Sequence, residues 1–313
     1  MRLSVVIPTR DRREKLERVL QALRPQLDEV PGGAEVLVVD DGSSDGTGAW
    51  LATAGGLRAF RLEGTGPARA RNLGAREAAG ELLLFLGDDT VPEPRLLALH
   101  DAAHREPHHG PRAVLGLTDW DRQRMRVTPL LAHLNAKGAQ FGFALIRDAE
   151  DVPFNFFYTS NVSLPRDTFL GLGGFDEAFP SAAWEDVELA YRATRTVPPL
   201  RIVYRPQARV RHDHPTTLAA ARARQAHVGR AAHTLLRKWP ELADWVGAGR
   251  ARGLPRHRPV AVSLLERLIA ACDGRGLRLP AAVYDRVLRW DYLDGLRSAL
   301  EDEPRASGLH FES

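Results

Sequence analysis

Two strand-like runs of this chain end in adjacent acids. Val38-Val39-Asp40-Asp41-Gly42-Ser43 closes one, and Phe85-Leu86-Gly87-Asp88-Asp89-Thr90 closes the other. Adjacent carboxylates repel unless solvent screens them or a cation sits between them. A hard divalent ion, Mg²⁺ or Mn²⁺, meets that need, commonly with a phosphate completing its shell. Each pair has an ordinary alternative. Asp41 or Ser43 could cap the next helix, and the second pair could be an acidic N-cap for a helix near Pro92.

Three further stretches could carry chemistry. Gly64-Thr65-Gly66-Pro67-Ala68-Arg69-Ala70-Arg71-Asn72 fits a turn into a helix N-terminus, with two arginines available for an anion. It lacks the Gly-Lys-Ser/Thr ending of a Walker A loop. The alternative is a solvated arginine face. Trp184-Glu185-Asp186 follows Gly173-Gly174-Phe175-Asp176-Glu177. A helix beginning near 185 puts both acids in its first turn, where the dipole favours their charged form. Asp186 could then be a weak but well-placed general base with Trp184 as an apolar platform, or the acids could simply cap the helix. Val210-Arg211-His212-Asp213-His214-Pro215 offers a histidine just after a strand, either a metal ligand or part of a polar turn.

These residues need a frame that gathers them. Residues 3–7, 35–39, 58–62, 81–86 and 113–117 read as strands. Residues 11–24, 46–54, 67–79 and 93–104 read as helices. Strands alternating with helices imply a mostly parallel sheet covered on both faces, with ligands outside the carboxyl ends of its strands. Residues 118–160 lose that rhythm and mix aromatic side chains with scattered charge. Regular signals return at 165–172, 185–195 and 201–204. A long helix runs over 216–237, further helical segments follow, and Ser307–Ser313 should fray.

Composition narrows the classes. The 313 residues are 44% hydrophobic and 27% charged, enough to build a core without a staple. The single cysteine, Cys272, excludes a disulfide framework and a cysteine-built zinc site. No apolar run reaches the roughly 20 residues of a membrane span, and the N-terminus does not read as a signal peptide. A cytoplasmic protein is expected. A net charge of +3 gives no argument for nucleic acid.

The order of the motifs, together with the opening Ser4-Val5-Val6-Ile7-Pro8-Thr9, resembles the family 2 glycosyltransferases of glycosyltransferase-A fold, over residues 1 to about 235. The resemblance implies a nucleotide-sugar donor, taken as UDP-linked, a divalent ion (Mn²⁺ or Mg²⁺) and inversion at the anomeric carbon. It places Pro8, Thr9, Arg10, the Asp40-Asp41 turn, Arg71 and Asp88 on the donor, with Asp40 favoured over Asp41 for the base. It makes Asp89 and His212 the metal ligands, His212 ahead of His214. It makes Asp186 the base within a Glu185-Asp186 pair, with Trp184 and Asn161 toward the acceptor. Gly87 stands where the strand-end motif often has a third acid. The division that follows is 1–117 for the donor, 118–237 for acceptor and catalysis, and a helical extension over 238–313. The acceptor is a glycan, a lipid-linked or a small molecule.

Residues 201–237 hold eight arginines against one acid, Asp213. Arg230, His233 and Arg237 share a helical face that could meet anionic lipid on the cytoplasmic side of a membrane, or could simply be solvated. Two other readings compete with this one. A sugar-nucleotide nucleotidyltransferase needs a glycine-rich, lysine-bearing loop after the first strand, and Pro8-Thr9-Arg10-Asp11 is not that. A catalytically inactive nucleotide-sugar-binding scaffold is expected to lose the acids at 89 and 186, and both are present.

Overall fold

A computed structural model of the chain describes residues 1–179 and 181–302. The chain forms two compact units, one of residues 1–127 and 134–215, the other of 128–133 and the described residues from 216 onward. The expected fraying of 307–313 lies outside the described residues.

The first unit opens with β1 (Leu3–Thr9), α1 (Arg13–Leu23), β2 (Ala34–Asp41), α2 (Thr47–Leu51), β3 (Arg58–Leu62), α3 (Pro67–Glu77) and β4 (Leu82–Leu86). Then come β5 (Thr90–Pro92), α4 (Leu96–Arg105), β6 (Arg112–Trp120), α5 (Pro129–Ala136, whose residues up to 133 count with the second unit), β7 (Asn161–Pro165), α6 (Arg166–Gly171), α7 (Glu185–Ala193) and β8 (Arg201–His212). The strands form one sheet in the order β3-β2-β1-β4-β7-β6-β8-β5.

The sheet is mixed, less parallel than the sequence suggested. β7 runs antiparallel to both neighbours, and β5 antiparallel to β8. β7 escapes a sequence reading because its alternation is inverted in meaning. Val162 and Leu164 are buried, and so are the polar Asn161 and Ser163. The two antiparallel steps around β7 cancel. β6 and β8 therefore run in the same sense as β1, β2 and β4, so Thr9, Asp41, Leu86, Trp120 and His212 all lie at one end of the sheet.

Both faces of the sheet are buried. Val5 and Ile7 of β1 and Leu82, Leu84 and Leu86 of β4 pack with Leu16, Val19 and Leu23 of α1 and with Leu96 and Leu97 of α4. Val6, Leu83 and Phe85 face the other way, toward Ala68 and Ala75 of α3, Phe169 of α6 and Leu189 of α7. Phe85, Phe169 and Phe175 pack with ring centroids 5.1 Å apart. Full burial of each such side chain is worth roughly 1.5–3 kcal/mol. These layers fix β4 rigidly, and the acids at its end inherit that rigidity.

The second unit holds α8 (Leu218–Lys238), α9 (Ala243–Val246), α10 (Ala248–Arg252), α11 (Val260–Asp273) and α12 (Ala281–Glu301). Thr217 caps α8 by accepting from Ala220 N–H. α8 and α12 cross at two glycines. A Cβ on Gly229 would meet Tyr292 O, and one on Gly295 would meet Ala226 O, both at about 2 Å. Arg230 and Arg237 of α8 are exposed, while His233 is half-buried. Among the described residues, no helix is long and apolar enough to cross a membrane.

Candidate active site

The end of β4 gathers the charged groups. Asp88 Oδ2 accepts from Thr9 Oγ1 at 2.9 Å, so the last residue of β1 orients the first acid. Asp89 Oδ2 lies 3.5 Å from His212 Nε2 and 3.2 Å from His214 Nδ1. The register explains the meeting, because Thr90 of β5 pairs directly with His212 of β8. His212 is buried and stacks between Trp120 and His214, with centroids 5.3 and 5.2 Å away, while Phe141 meets its edge at 5.5 Å.

Both histidines thus converge on Asp89, where the sequence expectation gave His212 precedence. Ligand atoms of Asp89, His212 and His214 lie within 4.8 Å of one another. His212 Nδ1 is buried with no hydrogen-bond partner among the described residues, a cost that a ligand could remove. Two imidazoles and a carboxylate make a mixed N,N,O set that fits a divalent transition ion better than Mg²⁺. Burial would raise the Asp89 carboxyl, but the charge and hydrogen bonds of His212, with His214 and Arg12, hold it well below the usual range. Burial and the Asp89 charge push Asp88 up to about 6.

The loop carrying the histidines is held from three sides. Asp213 N–H donates to Asp89 O, Lys15 Nζ donates to Asp213 O at 2.7 Å, and Arg18 pairs with the Asp213 carboxylate at 2.5 Å. No local pattern announces this role for Asp213, whose partners are up to 198 residues away.

The β2 acids are arranged differently. Asp40 accepts from Ser43 N–H at 2.9 Å and from Arg61 at 2.8 Å. Asp41 accepts from Thr65 N–H at 2.7 Å and Gly66 N–H at 2.8 Å, fixing the turn that enters α3. Gly42 sits at φ +80°, and a Cβ there would meet Gly64 N at 2.9 Å, so the two turns touch through a glycine. Pro8 is half-buried at the end of β1, and Arg10 is exposed beside Gly64.

α3 organises the other carboxylates. Asn72 grips Phe175 through both backbone groups, at 2.9 Å each. Arg71, expected on the donor, donates to Glu185 Oε1 at 2.9 Å, and both are buried. Trp184, half-buried at φ +74°, starts α7. Asp186 follows it. The helix dipole was expected to keep this carboxylate charged. Burial and the adjacent Glu185 charge outweigh the dipole and push Asp186 up to about 7, with Arg71 opposing. Tyr158 feels the Asp186 charge and also packs edge-on against Phe141, which in turn touches His212.

Asn161, expected toward the acceptor, is placed elsewhere. It is fully buried in β7, donates to Ala208 O at 2.9 Å and Leu117 O at 3.3 Å, and meets His100 Nε2 at 2.9 Å. Its amide is consumed inside the sheet. Sequence reasoning also missed Arg12, which bridges Asp88 and Asp89 at 3.0 and 2.7 Å.

The mixed sheet with helices on both faces is the glycosyltransferase-A fold, as superposition on solved structures shows. A mannosyltransferase of Pyrobaculum calidifontis, solved with GDP-mannose and Mn²⁺, superposes with a TM-score of 0.59 at 21% identity, covering 97% of this chain and 88% of that one. Residues 1–349 of TarS from S. aureus, solved with UDP, give 0.54 at 18% identity, covering 96% and 90%. At such identities the likeness establishes the fold alone.

Residues 4–157 match the model of glycosyl transferase family 2, and the chain belongs to that family. Validoxylamine A glucosyltransferase of Streptomyces hygroscopicus subsp. limoneus is 34% identical over 61% of this chain and 47% of its own length. Pre-mycofactocin glycosyltransferase of Mycobacterium tuberculosis (strain CDC 1551 / Oshkosh) is 27% identical over 84% and 56%. The chain spans about half the length of the curated relatives it matches.

Proposed function

We propose that this chain is an inverting glycosyltransferase that moves a sugar from a nucleoside diphosphate donor to an acceptor hydroxyl. The observation that carries the reading is the convergence of Asp89, His212 and His214 beside Asp88. These three would hold a divalent ion, with Mn²⁺ preferred to Mg²⁺ for the two nitrogens. Bound there, the ion would act as a Lewis acid on the charge that builds on the departing diphosphate.

The chain's own residues do the rest. Thr9 orients Asp88, the candidate ribose contact. Asp186 takes the acceptor's proton as its oxygen attacks the anomeric carbon. The bond from that carbon to the diphosphate breaks, and its electron pair leaves with the nucleoside diphosphate. One displacement inverts the centre, and one base suffices. A carboxyl near 7 is well matched to that task, because it is ionised in part yet basic enough to accept a proton. Arg71 holds Glu185 and so fixes the start of α7.

UDP-linked sugars are the preferred donors in this reading. The acceptor is a glycan, a lipid-linked or a small molecule, the last as the names of both relatives suggest. Residues 1–117 serve the donor, and the later residues of the first unit, up to 215, serve the acceptor and chemistry. A thermal-shift screen of UDP, GDP and dTDP sugars, with and without Mn²⁺, tests the donor. Mn²⁺-dependent stabilisation by a nucleotide sugar is expected, and ligand at 100 times its dissociation constant adds about 2.7 kcal/mol. NMR of the product then reads the linkage. Retained anomeric configuration would overturn the single displacement.

A further inference from the structure

Arg12 sits where a cation is expected. It is the residue just before α1, and a single guanidinium nitrogen donates to both Asp88 Oδ1 (3.0 Å) and Asp89 Oδ2 (2.7 Å). That same Asp89 oxygen is the one facing His212 and His214. The two carboxylates are buried, whereas the Arg12 side chain is 39% exposed. The backbone around it is fixed, since Lys15 and Arg18 of α1 tie the helix to Asp213.

A metal ion taking Asp89 Oδ2 and a guanidinium nitrogen 2.7 Å from that oxygen would be two cations on one atom. Their repulsion in a partly desolvated site favours separation. The freed guanidinium would then need an anion, and its planar fork suits a diphosphate. We propose that Arg12 is an exchange residue. It neutralises the Asp88-Asp89 pair when no donor is bound, yields Asp89 to the incoming ion, and transfers its own hydrogen bonds to the donor's diphosphate. The proposal rests on the metal site put forward above.

Its consequence is coupling. The ion alone must compete with Arg12, so it binds weakly. The ion arriving with a diphosphate gives Arg12 somewhere to go, so it binds strongly. By linkage the ion must tighten the diphosphate by the same factor.

The test measures Mn²⁺ affinity directly, from the electron paramagnetic resonance signal of the free ion. Titrations use the whole chain alone, with UDP and with GDP. Arg12→Met should bind Mn²⁺ alone about tenfold more tightly than wild type. The tightening of Mn²⁺ by the nucleoside diphosphate should shrink by about tenfold or more. Arg12→Lys keeps the charge but not the fork, and should leave Mn²⁺ binding near wild type with coupling partly lost. Circular dichroism of both variants checks folding. Unchanged or weaker Mn²⁺ binding in a folded Arg12→Met, or coupling equal to wild type, overturns the exchange role. Asp89→Asn separates the two failures. If it binds Mn²⁺ as well as wild type does, the metal site itself is misplaced.

Discussion

Asp40-Asp41 at the end of β2 and Asp88-Asp89 at the end of β4 are alike in sequence and alike in burial. They differ in what they touch. The β2 pair binds backbone N–H groups of its own neighbourhood, from Ser43, Thr65 and Gly66, and one arginine, Arg61. The β4 pair faces Arg12, His212 and His214, which come from the far ends of the unit. Backbone donors are fixed, and a carboxylate that accepts them stabilises a turn. Side-chain cations can be exchanged for a ligand. The second environment therefore builds a site, and the first builds the frame that carries it. Glu185-Asp186 combines both habits, with Glu185 tied to Arg71 and Asp186 left with a raised proton affinity.

The largest expected effect sharpens that third case. Asp186→Asn should lower turnover by about 10² to 10⁴, the usual cost of losing a general base, with donor affinity within a few-fold. In the wild type, turnover should rise with pH and level off above about 7, as Asp186 ionises. Stability should move the opposite way. The folded value lies above the unfolded 3.8, so the protonated acid favours the fold. That contribution is complete below the unfolded value and is lost as pH rises through about 7. The melting temperature of Asp186→Asn should match wild type near pH 4 and exceed it at pH 8. A near-normal turnover would move the base role to Asp176 or Glu188.

Next in size is the metal pair. Asp89→Asn should cut Mn²⁺-supported binding of nucleoside diphosphate by roughly 100-fold, about 2.7 kcal/mol. EDTA should do the same to wild type. His212→Ala and His214→Ala should each cost at least about tenfold, the low end seen when even an outer partner of a ligand is removed. The buried, doubly stacked His212 should cost more. Calorimetry giving equal affinity with and without metal would erase the contrast between the two strand ends.

Asp41→Ala tests the frame. It removes the acceptor for Thr65 N–H and Gly66 N–H, which should destabilise the protein by about 2–4 kcal/mol. Mn²⁺ affinity should stay near wild type. Denaturant unfolding checks the first and paramagnetic resonance the second.

How far the sequence reveals this division depends on distance along the chain. The first four strands, their helices and both acid pairs are legible, because apolar runs and strand-end acids are local signals. Residues 58–62 coincide with β3 to the residue. β7 is not legible, since Asn161 and Ser163 are buried against His100 and His104 instead of facing water. Burial pushes those histidines down to about 4 and about 3, so they are neutral partners in a polar seam that no local pattern announces. The same blindness sent Asn161 to the acceptor side. Arg71 and Arg12 were visible as arginines, but their carboxylate partners lie 114 and 76–77 residues away. His214 needed the register of β8 against β5 before it could be joined to Asp89.

The smallest effect tests the comparison most severely. The family resemblance points Asp40 at the donor's base, while the structure gives its two oxygens to Ser43 N–H and Arg61. Asp40→Asn keeps the shape, and its remaining carbonyl oxygen can still accept from Ser43. What it loses is the ion pair with Arg61, a side chain that is 58% exposed. Pairs with one partner in water are worth about 1 kcal/mol or less and weaken as salt screens them over roughly 10 Å at 0.1 M. The variant should therefore be destabilised by at most about 1 kcal/mol at low salt, and the difference should shrink at 1 M. If Asp40 belongs to the frame, affinity for UDP with Mn²⁺ should fall by no more than a few-fold. A loss beyond tenfold with stability nearly intact would mean that a ligand N–H displaces Arg61. The β2 pair would then be an exchangeable site like the β4 pair, and burial against backbone donors would no longer tell the two apart.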